Sequence, residues 1–201
     1  MSVSQRPQTG VAAQFLLTER LLLCAPTVAL TAAVCDYQQR NLGHFARWDP
    51  PYPEGFYEPA AVAERLAQGE RAFAAGSAYR YWFSLREDPG RMIGQAHLTQ
   101  VARAAFQNAI LGYGLDRNAE GRGLMQEALR AVIAEMFGPE VRLHRIQAAV
   151  RPENTRSRAV LQALGFQPEG LSRRYLFIDG AWRDHEVHAL LNPDWPVDQA
   201  P

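Results

Sequence analysis

Hydrophobic positions change period repeatedly along this chain, and each change marks an element. Residues 15–23 contain LLTERLLL and predict a first strand. Over 27–42, Leu30, Val34 and Tyr37 share one helical face. A second helix is expected over 60–75, ending before Gly76. Residues 79–85 alternate as a strand, REDPG at 86–90 has turn composition, and 92–101 and 108–115 are further strands. Met125, Ala128, Leu129, Val132 and Met136 recur at helical spacing, which predicts a helix over 122–137, stopped by Gly138-Pro139. HRIQAAV at 144–150 is a strand. Residues 152–164 form a helix with Gly165 as its C-cap. Strands at 171–178 and 182–191 flank the two-residue turn Asp179-Gly180.

Strands and helices so mixed, with no repeat or linker, imply one mixed α/β domain over 14–195. Residues 1–13 are small and polar and are expected to be a frayed arm, with 196–201 as a tail. WDPPYPEGFYEP, at 48–59, cannot form a regular element. It is either a loop packed on its own rings or a wall of a binding site.

Composition narrows the function. The 201 residues are 47% hydrophobic, enough for a real core. Basic and acidic residues number 21 each, so bulk charge implies no nucleic-acid surface. All the basic residues are arginine, which excludes a catalytic lysine. Cys24 and Cys35 sit among apolar neighbours without a C-x-x-C pair, and read as buried free thiols. The histidines lack metal-ligand spacing, so no metal is expected. No apolar stretch is long enough to span a membrane and no signal pattern opens the chain, so a cytoplasmic protein is expected.

The chemistry concentrates in LGYGLDRNAEGRGLM, at 111–125. An apolar strand ends in a short polar loop, and Gly121 and Gly123 lie where the next helix begins. A helix start offers unpaired N–H groups and partial positive charge, and glycines let an anion approach them. No Gly-Lys-Ser/Thr follows, so this is not a Walker loop. Two glycines between a strand and a helix are more often just a turn.

Asn118 to Gly123 reads N-x-x-G-x-G, which resembles the Q/R-x-x-G-x-G/A loop of GNAT acetyltransferases. RPENTRS at 151–157 follows its strand as the family's N-x-x-S segment does, and LGF at 164–166 follows the helix. TERLLL at 18–23, LGYGLD, GRGLMQEAL, LHRIQAAV, LGFQPEG, YLFIDGAWRDH and NPDW are similar to the RimJ/RimL branch, the ribosomal-protein N-terminal acetyltransferases. The likeness runs over roughly residues 15–195. It implies the GNAT fold: a twisted, mixed sheet, mostly antiparallel, whose central parallel strands splay apart near Leu115 and Val150. Pantetheine of acetyl-CoA would lie in the gap like an added strand.

By that resemblance, Tyr113, Leu115, Arg117, Asn118, Gly121, Arg122, Gly123, Leu124, Asn154 and Ser157 would bind acetyl-CoA. Backbone N–H near Tyr113 to Leu115 would polarise the thioester carbonyl. Trp48, Tyr52 and Tyr175 would contact the acceptor. Many relatives carry a tyrosine acid seven residues after the helix asparagine; here that place is Leu161. Ser157 matches the serine proposed for this role in the RimL type, and its bland alternative is a helix first-turn residue. The RimL-type glutamate aligns with Leu176, so the general base stays open, with Tyr175, Asp179 and Asp184 nearby. An α-amine, with a pKa of about 8, needs little help from a base.

Three functions remain in view. The first is acetylation of a protein's N-terminal α-amine, a ribosomal protein starting with alanine or serine being the implied partner. The second is acetylation of a small amine such as an amino acid, polyamine or drug. The third is a non-catalytic acyl-CoA-binding module, against which Ser157 speaks. A homodimer is the ordinary expectation for an oligomer.

Overall fold

A computed structural model describes residues 12–196. Its elements in chain order are β1 (Phe15–Leu17), β2 (Leu21–Cys24), α1 (Thr31–Phe45), α2 (Pro59–Ala74), β3 (Tyr79–Leu85), β4 (Asp88–Ala102), β5 (Asn108–Leu115), α3 (Leu124–Phe137), β6 (Arg145–Val150), α4 (Thr155–Ala163), β7 (Gln167–Ile178) and β8 (Ala181–Leu191). One-turn 3₁₀ helices precede α1 and α3. The strands form one sheet in the order β1-β2-β3-β4-β5-β6-β8-β7. Every neighbouring pair is antiparallel except β5 and β6.

Alternation along the strands feeds two cores. Tyr81 and Phe83 point to the face covered by α3 and α4, where Leu124, Leu129, Val132, Met136 and Leu161 are buried. Trp82, between them, points to the opposite face with Val34 and Tyr37 of α1 and Val62 and Leu66 of α2. The helical stripes read from sequence are therefore the packed faces.

Several boundaries differ from expectation. The first strand is two: β1 and β2 form a hairpin pairing Phe15 with Cys24. Thr18 closes its turn, donating its amide to the Leu21 carbonyl at 3.0 Å, while its hydroxyl accepts from Leu21 N–H at 3.0 Å. The REDPG turn tightens to Arg86-Glu87, and Asp88 already pairs with Leu85. α3 starts at Leu124 because Gly123 holds a left-handed conformation, φ 75°. α4 starts at Thr155 because Asn154 caps it, Oδ1 accepting from Ser157 N–H at 3.1 Å. β7 begins at Gln167, paired to Ala189, rather than at 171.

Cys24 is buried as expected, but Cys35 is only half-buried, because it packs at the margin of the α1–α2 core. The expected arm lies outside the described residues except for Ala12, which is buried, and Ala13, whose carbonyl accepts from Tyr81 Oη at 2.6 Å. Apart from Pro196, the expected tail also lies outside them.

Candidate active site

Two strands that run parallel need not stay paired, and here they do not. β5 and β6 are in register from Asn108↔Arg145 to Ile110↔Gln147 and then part. Beyond Ile110, β5 keeps β4 on one side, while Ala148–Val150 of β6 keep β8. The inner edges of both strands are thus left with unpaired peptide groups over a cavity of about 370 Å³.

That cavity brings together Trp48, Tyr52, Tyr113, Asn154, Ser157 and Tyr175 from four separate segments. Tyr113 of β5 and Ser157 of α4 meet across it. Their hydroxyl oxygens are 2.7 Å apart, and Tyr113 Oη also donates to the Ser157 carbonyl at 3.1 Å. Burial pushes the Tyr113 hydroxyl up to about 12, against the smaller opposing pull of Ser157, so it keeps its proton at neutral pH. Leu161, one α4 turn below Ser157, is fully buried and lines the same cavity. Leu176 lines it too and brings no carboxylate. Asp179 pairs with Arg183 and Asp184 accepts from the Arg174 amide, so neither serves this cavity.

The remaining candidates form a continuous run past the end of β5. Asp116, almost wholly buried, accepts from Arg40 of α1 and from the Asn118 amide at 2.9 Å. The Arg117 amide donates to Asn41 Oδ1 at 3.1 Å. These contacts tie the loop to α1 before the glycines begin. Gly121 and Gly123 both have φ 75°, and a side chain at Gly121 would meet nothing within 4 Å. Glycine is needed here for the backbone turn, not for room inside the fold. Gly121, Arg122 and Gly123 are exposed, while Leu124 is wholly buried.

The first intrahelical bond of α3 runs from Glu127 N–H to Gly123 O, at 3.1 Å, and the earlier amides have no intrahelical acceptor. Arg20 Nη1 braces this loop through the Arg122 carbonyl at 3.0 Å, and its guanidinium pairs with Glu127 at 2.6 Å. Glu120 pairs with His44 of α1 at 3.2 Å and with Arg156 of α4.

The aromatic loop at 48–59 packs on its own rings, one of the two readings made of it. Tyr52 stacks on Phe56 with centroids 4.1 Å apart, and Tyr57 packs edge-on against both. The same loop forms one wall of the cavity. Arg151, at the end of β6, holds it by donating to the Arg47 carbonyl at 2.7 Å and lying 5.3 Å from the Trp48 ring.

Sequence reasoning missed Asp49, Arg80, Gln95 and His97. Gln95, His97 and Thr99 alternate along β4 and line this cavity and a second one of about 450 Å³, between the sheet and α1–α2. That polar alternation opposite buried Ala96 and Leu98 was a readable signal. Gly112 exists for His97: a Cβ there would stand 2.3 Å from the imidazole Nε2. Desolvation, helped by the Arg80 charge, pushes His97 down to about 3, so the ring is neutral. No group of three or more metal-ligating side chains occurs among the described residues, and no described helix is long and apolar enough to cross a membrane.

Comparison with known proteins places this geometry. A family model described as acetyltransferase (GNAT) domain matches residues 20–167. The chain is 36% identical over 180 residues to the [ribosomal protein uS5]-alanine N-acetyltransferase of Escherichia coli, covering 90% of this chain and 92% of that one. The structure of a ribosomal-protein-S5-alanine acetyltransferase from Vibrio fischeri superposes with TM-score 0.86 at 31% identity, covering 90% and 98% of the two chains. Mycobacterium smegmatis RimJ in complex with CoA-disulfide gives 0.84 at 28% identity, covering 95% and 92%. With the family model spanning most of its sheet and these relatives nearly its whole length, the chain belongs to the GNAT family of acetyltransferases, which take their acetyl group from acetyl-CoA.

Proposed function

We propose that this enzyme acetylates the N-terminal α-amino group of a protein, with a ribosomal protein beginning in alanine or serine as its substrate. The Tyr113–Ser157 hydroxyl pair at the foot of the β5–β6 gap carries the reading as a transferase rather than a passive binder. The relatives named for uS5-alanine acetylation support the acceptor class. We also read 14–195 as one acetyltransferase domain working in the cytoplasm, where ribosomal proteins are made. Its neutral charge supports a protein rather than a nucleic-acid partner. The exposed Leu171, Phe177 and Trp182 of the β7–β8 hairpin are compatible with a homodimer.

The residues present fit acetyl-CoA. The open edge of β5 after Ile110 would pair with the pantetheine amides. The amides around Gly121 to Leu124, at the positive end of α3, would hold the pyrophosphate, with Arg117 and Arg122 adding charge. Acetyl-CoA supplies the activated carbonyl and a thiolate leaving group. Backbone N–H between Tyr113 and Leu115 would polarise that carbonyl. Asn154 acts indirectly, since its side chain caps α4 and so fixes Ser157. Ser157, whose hydroxyl oxygen lies 2.7 Å from that of Tyr113, would protonate the departing sulfur. Trp48, Tyr52 and Tyr175 would flank the incoming amine.

The test is an acetyl-transfer screen with CoA release as readout and mass spectrometry to locate the acetyl group. Peptides starting with alanine or serine should be modified at the α-amine. The same peptides with a blocked N-terminus should not react, even when they contain lysine. Equal labelling of the blocked lysine peptide, or transfer only to polyamines or free amino acids, would overturn the proposal.

A further inference from the structure

None of the residues assigned so far answers the positive charge of the incoming amine. Among the described residues that line either cavity there is one carboxylate, Asp49. It stands just past the C-terminus of α1, its amide donating to the Phe45 carbonyl at 2.9 Å. One carboxylate oxygen accepts from Tyr52 Oη at 3.1 Å. It forms no ion pair among the described residues, and burial pushes its carboxyl above the ordinary value, against smaller opposing pulls from the Tyr52 hydrogen bond and from His44. A half-buried carboxylate that no cation pairs is costly unless something supplies one.

Position says what would supply it. Asp49 lines both cavities, whereas Tyr113 and Ser157 line only the 370 Å³ one, and Arg65 and Arg80 only the 450 Å³ one. Arg80 donates to Gln95 Oε1 at 2.8 Å and Arg65 to the Phe56 carbonyl at 2.6 Å. The 450 Å³ lobe therefore carries two arginines, and a cation entering from the reaction centre meets the one lining carboxylate at the junction.

We infer that Asp49, oriented by Tyr52, binds the α-ammonium of the acceptor and takes its first proton, while Arg65 and Arg80 keep that cation out of the 450 Å³ lobe. This rests on the proposed α-amine acceptor. One N–H bond of the ammonium breaks and its proton goes to the Asp49 carboxylate. The freed nitrogen pair forms the bond to the acetyl carbon. The carbon–sulfur bond then breaks, and the sulfur takes a proton through Ser157. The second nitrogen proton leaves to water, and a relay returns one from solvent to Ser157.

Steady-state kinetics on Asp49→Asn test this, with two acceptors of one sequence. One is an alanine-starting peptide. The other is capped with aminooxyacetyl, whose terminal amine is uncharged at neutral pH. For the alanine peptide KM should rise about 10- to 150-fold, the worth of a hydrogen bond to a charged group. Acetyl-CoA affinity by calorimetry should hold, which shows the variant folded. The aminooxy peptide should lose much less, so the preference for the charged acceptor should collapse. An unchanged KM for the alanine peptide, or equal losses for both acceptors, would overturn the inference and leave Asp49 a loop-shaping residue. Should the wild type acetylate a small amine alone, the acceptor reading fails separately, and the KM of that amine in Asp49→Asn decides the anchor.

Discussion

Removing the Ser157 hydroxyl separates chemistry from architecture. In Ser157→Ala the backbone carbonyl still accepts from Tyr113 Oη at 3.1 Å, and Asn154 still caps α4 through the residue-157 amide. One hydrogen bond is lost, the 2.7 Å contact between hydroxyls. Such a bond contributes about 0.5–1.5 kcal/mol. For a domain of this size that lowers Tm by roughly 1–6 °C. Acetyl-CoA affinity should hardly move. General-acid help is worth roughly 10²–10⁴-fold, and CoA thiol leaves readily, so kcat should fall toward the lower end, about 10²-fold. Tyr113→Phe removes both of its bonds and should slow turnover too. If the two hydroxyls act as one relay, the double variant should be little slower than Ser157→Ala. Stopped-flow acetyl transfer resolves the chemical step. A Ser157→Ala rate within about twofold of wild type, with chemistry limiting, would make Ser157 only a helix residue, because acid catalysis should exceed that margin.

Gly123→Val should weaken acetyl-CoA binding at least tenfold by calorimetry. An unchanged affinity would refute the loop assignment. Because the nearest atom to a Cβ there is Arg20 Nη2 at 3.7 Å, the fold itself should lose only the left-handed strain, about 1–2 kcal/mol. Burial pushes the Glu127 carboxyl up, but hydrogen bonds from Thr18 and Arg20 outweigh it and hold it below its ordinary value. A depressed folded pKa stabilises above the unfolded value and is lost as pH falls through the folded one. Glu127→Gln should therefore lower Tm at pH 7 and leave it unchanged in acid well below that pKa; an equal Tm difference at both would refute the sign. Leu161→Tyr should lower Tm, since Leu161 is fully buried and overpacking costs about 1–3 kcal/mol; an unchanged Tm would show room that the structure denies.

The parts of the fold that sequence revealed are those whose stability is local or periodic. The stripe Met125, Leu129, Val132, Met136 is the buried face of α3, and alternation exposed β3. The β1–β2 hairpin was hidden because its turn is held from afar. Glu127 accepts from Thr18 Oγ1 at 2.6 Å and from the Arg20 amide at 2.8 Å, more than a hundred residues away in the chain. The local signal is slight: Thr18, Glu19 and Arg20 are the only polar residues between the two apolar runs, and Thr18 closes the turn on Leu21. The start of β7 was hidden for the opposite reason. Gln167–Gly170 are exposed residues on an edge strand, with a register shift between Pro168 and Gly170, and carry no alternation. The glycine loop was legible because its requirement, φ 75° at two positions, is a property of single residues. Asp49 was not, because its meaning depends on which charges share its cavity.

The proposed proton donor shows how the same chemistry can move within one frame. Seven residues beyond Asn154, where many relatives project a tyrosine hydroxyl from the helix, Leu161 fills the cavity wall with hydrocarbon. The hydroxyl lost from α4 is matched by one brought from β5, since Tyr113 reaches across the splayed strands to Ser157. That reach depends on the gap itself. Had β5 and β6 stayed paired past Ile110, peptide hydrogen bonds would close the space in which Tyr113 and α4 meet. The glycines on either side of Tyr113 serve the same end. Gly112 lets His97 lie flat against β5, and Gly114 lets Tyr37 and Phe45 approach to within 3.2–3.4 Å of where a side chain would begin. GYG is thus a backbone cleared on one side so that its central side chain can act on the other.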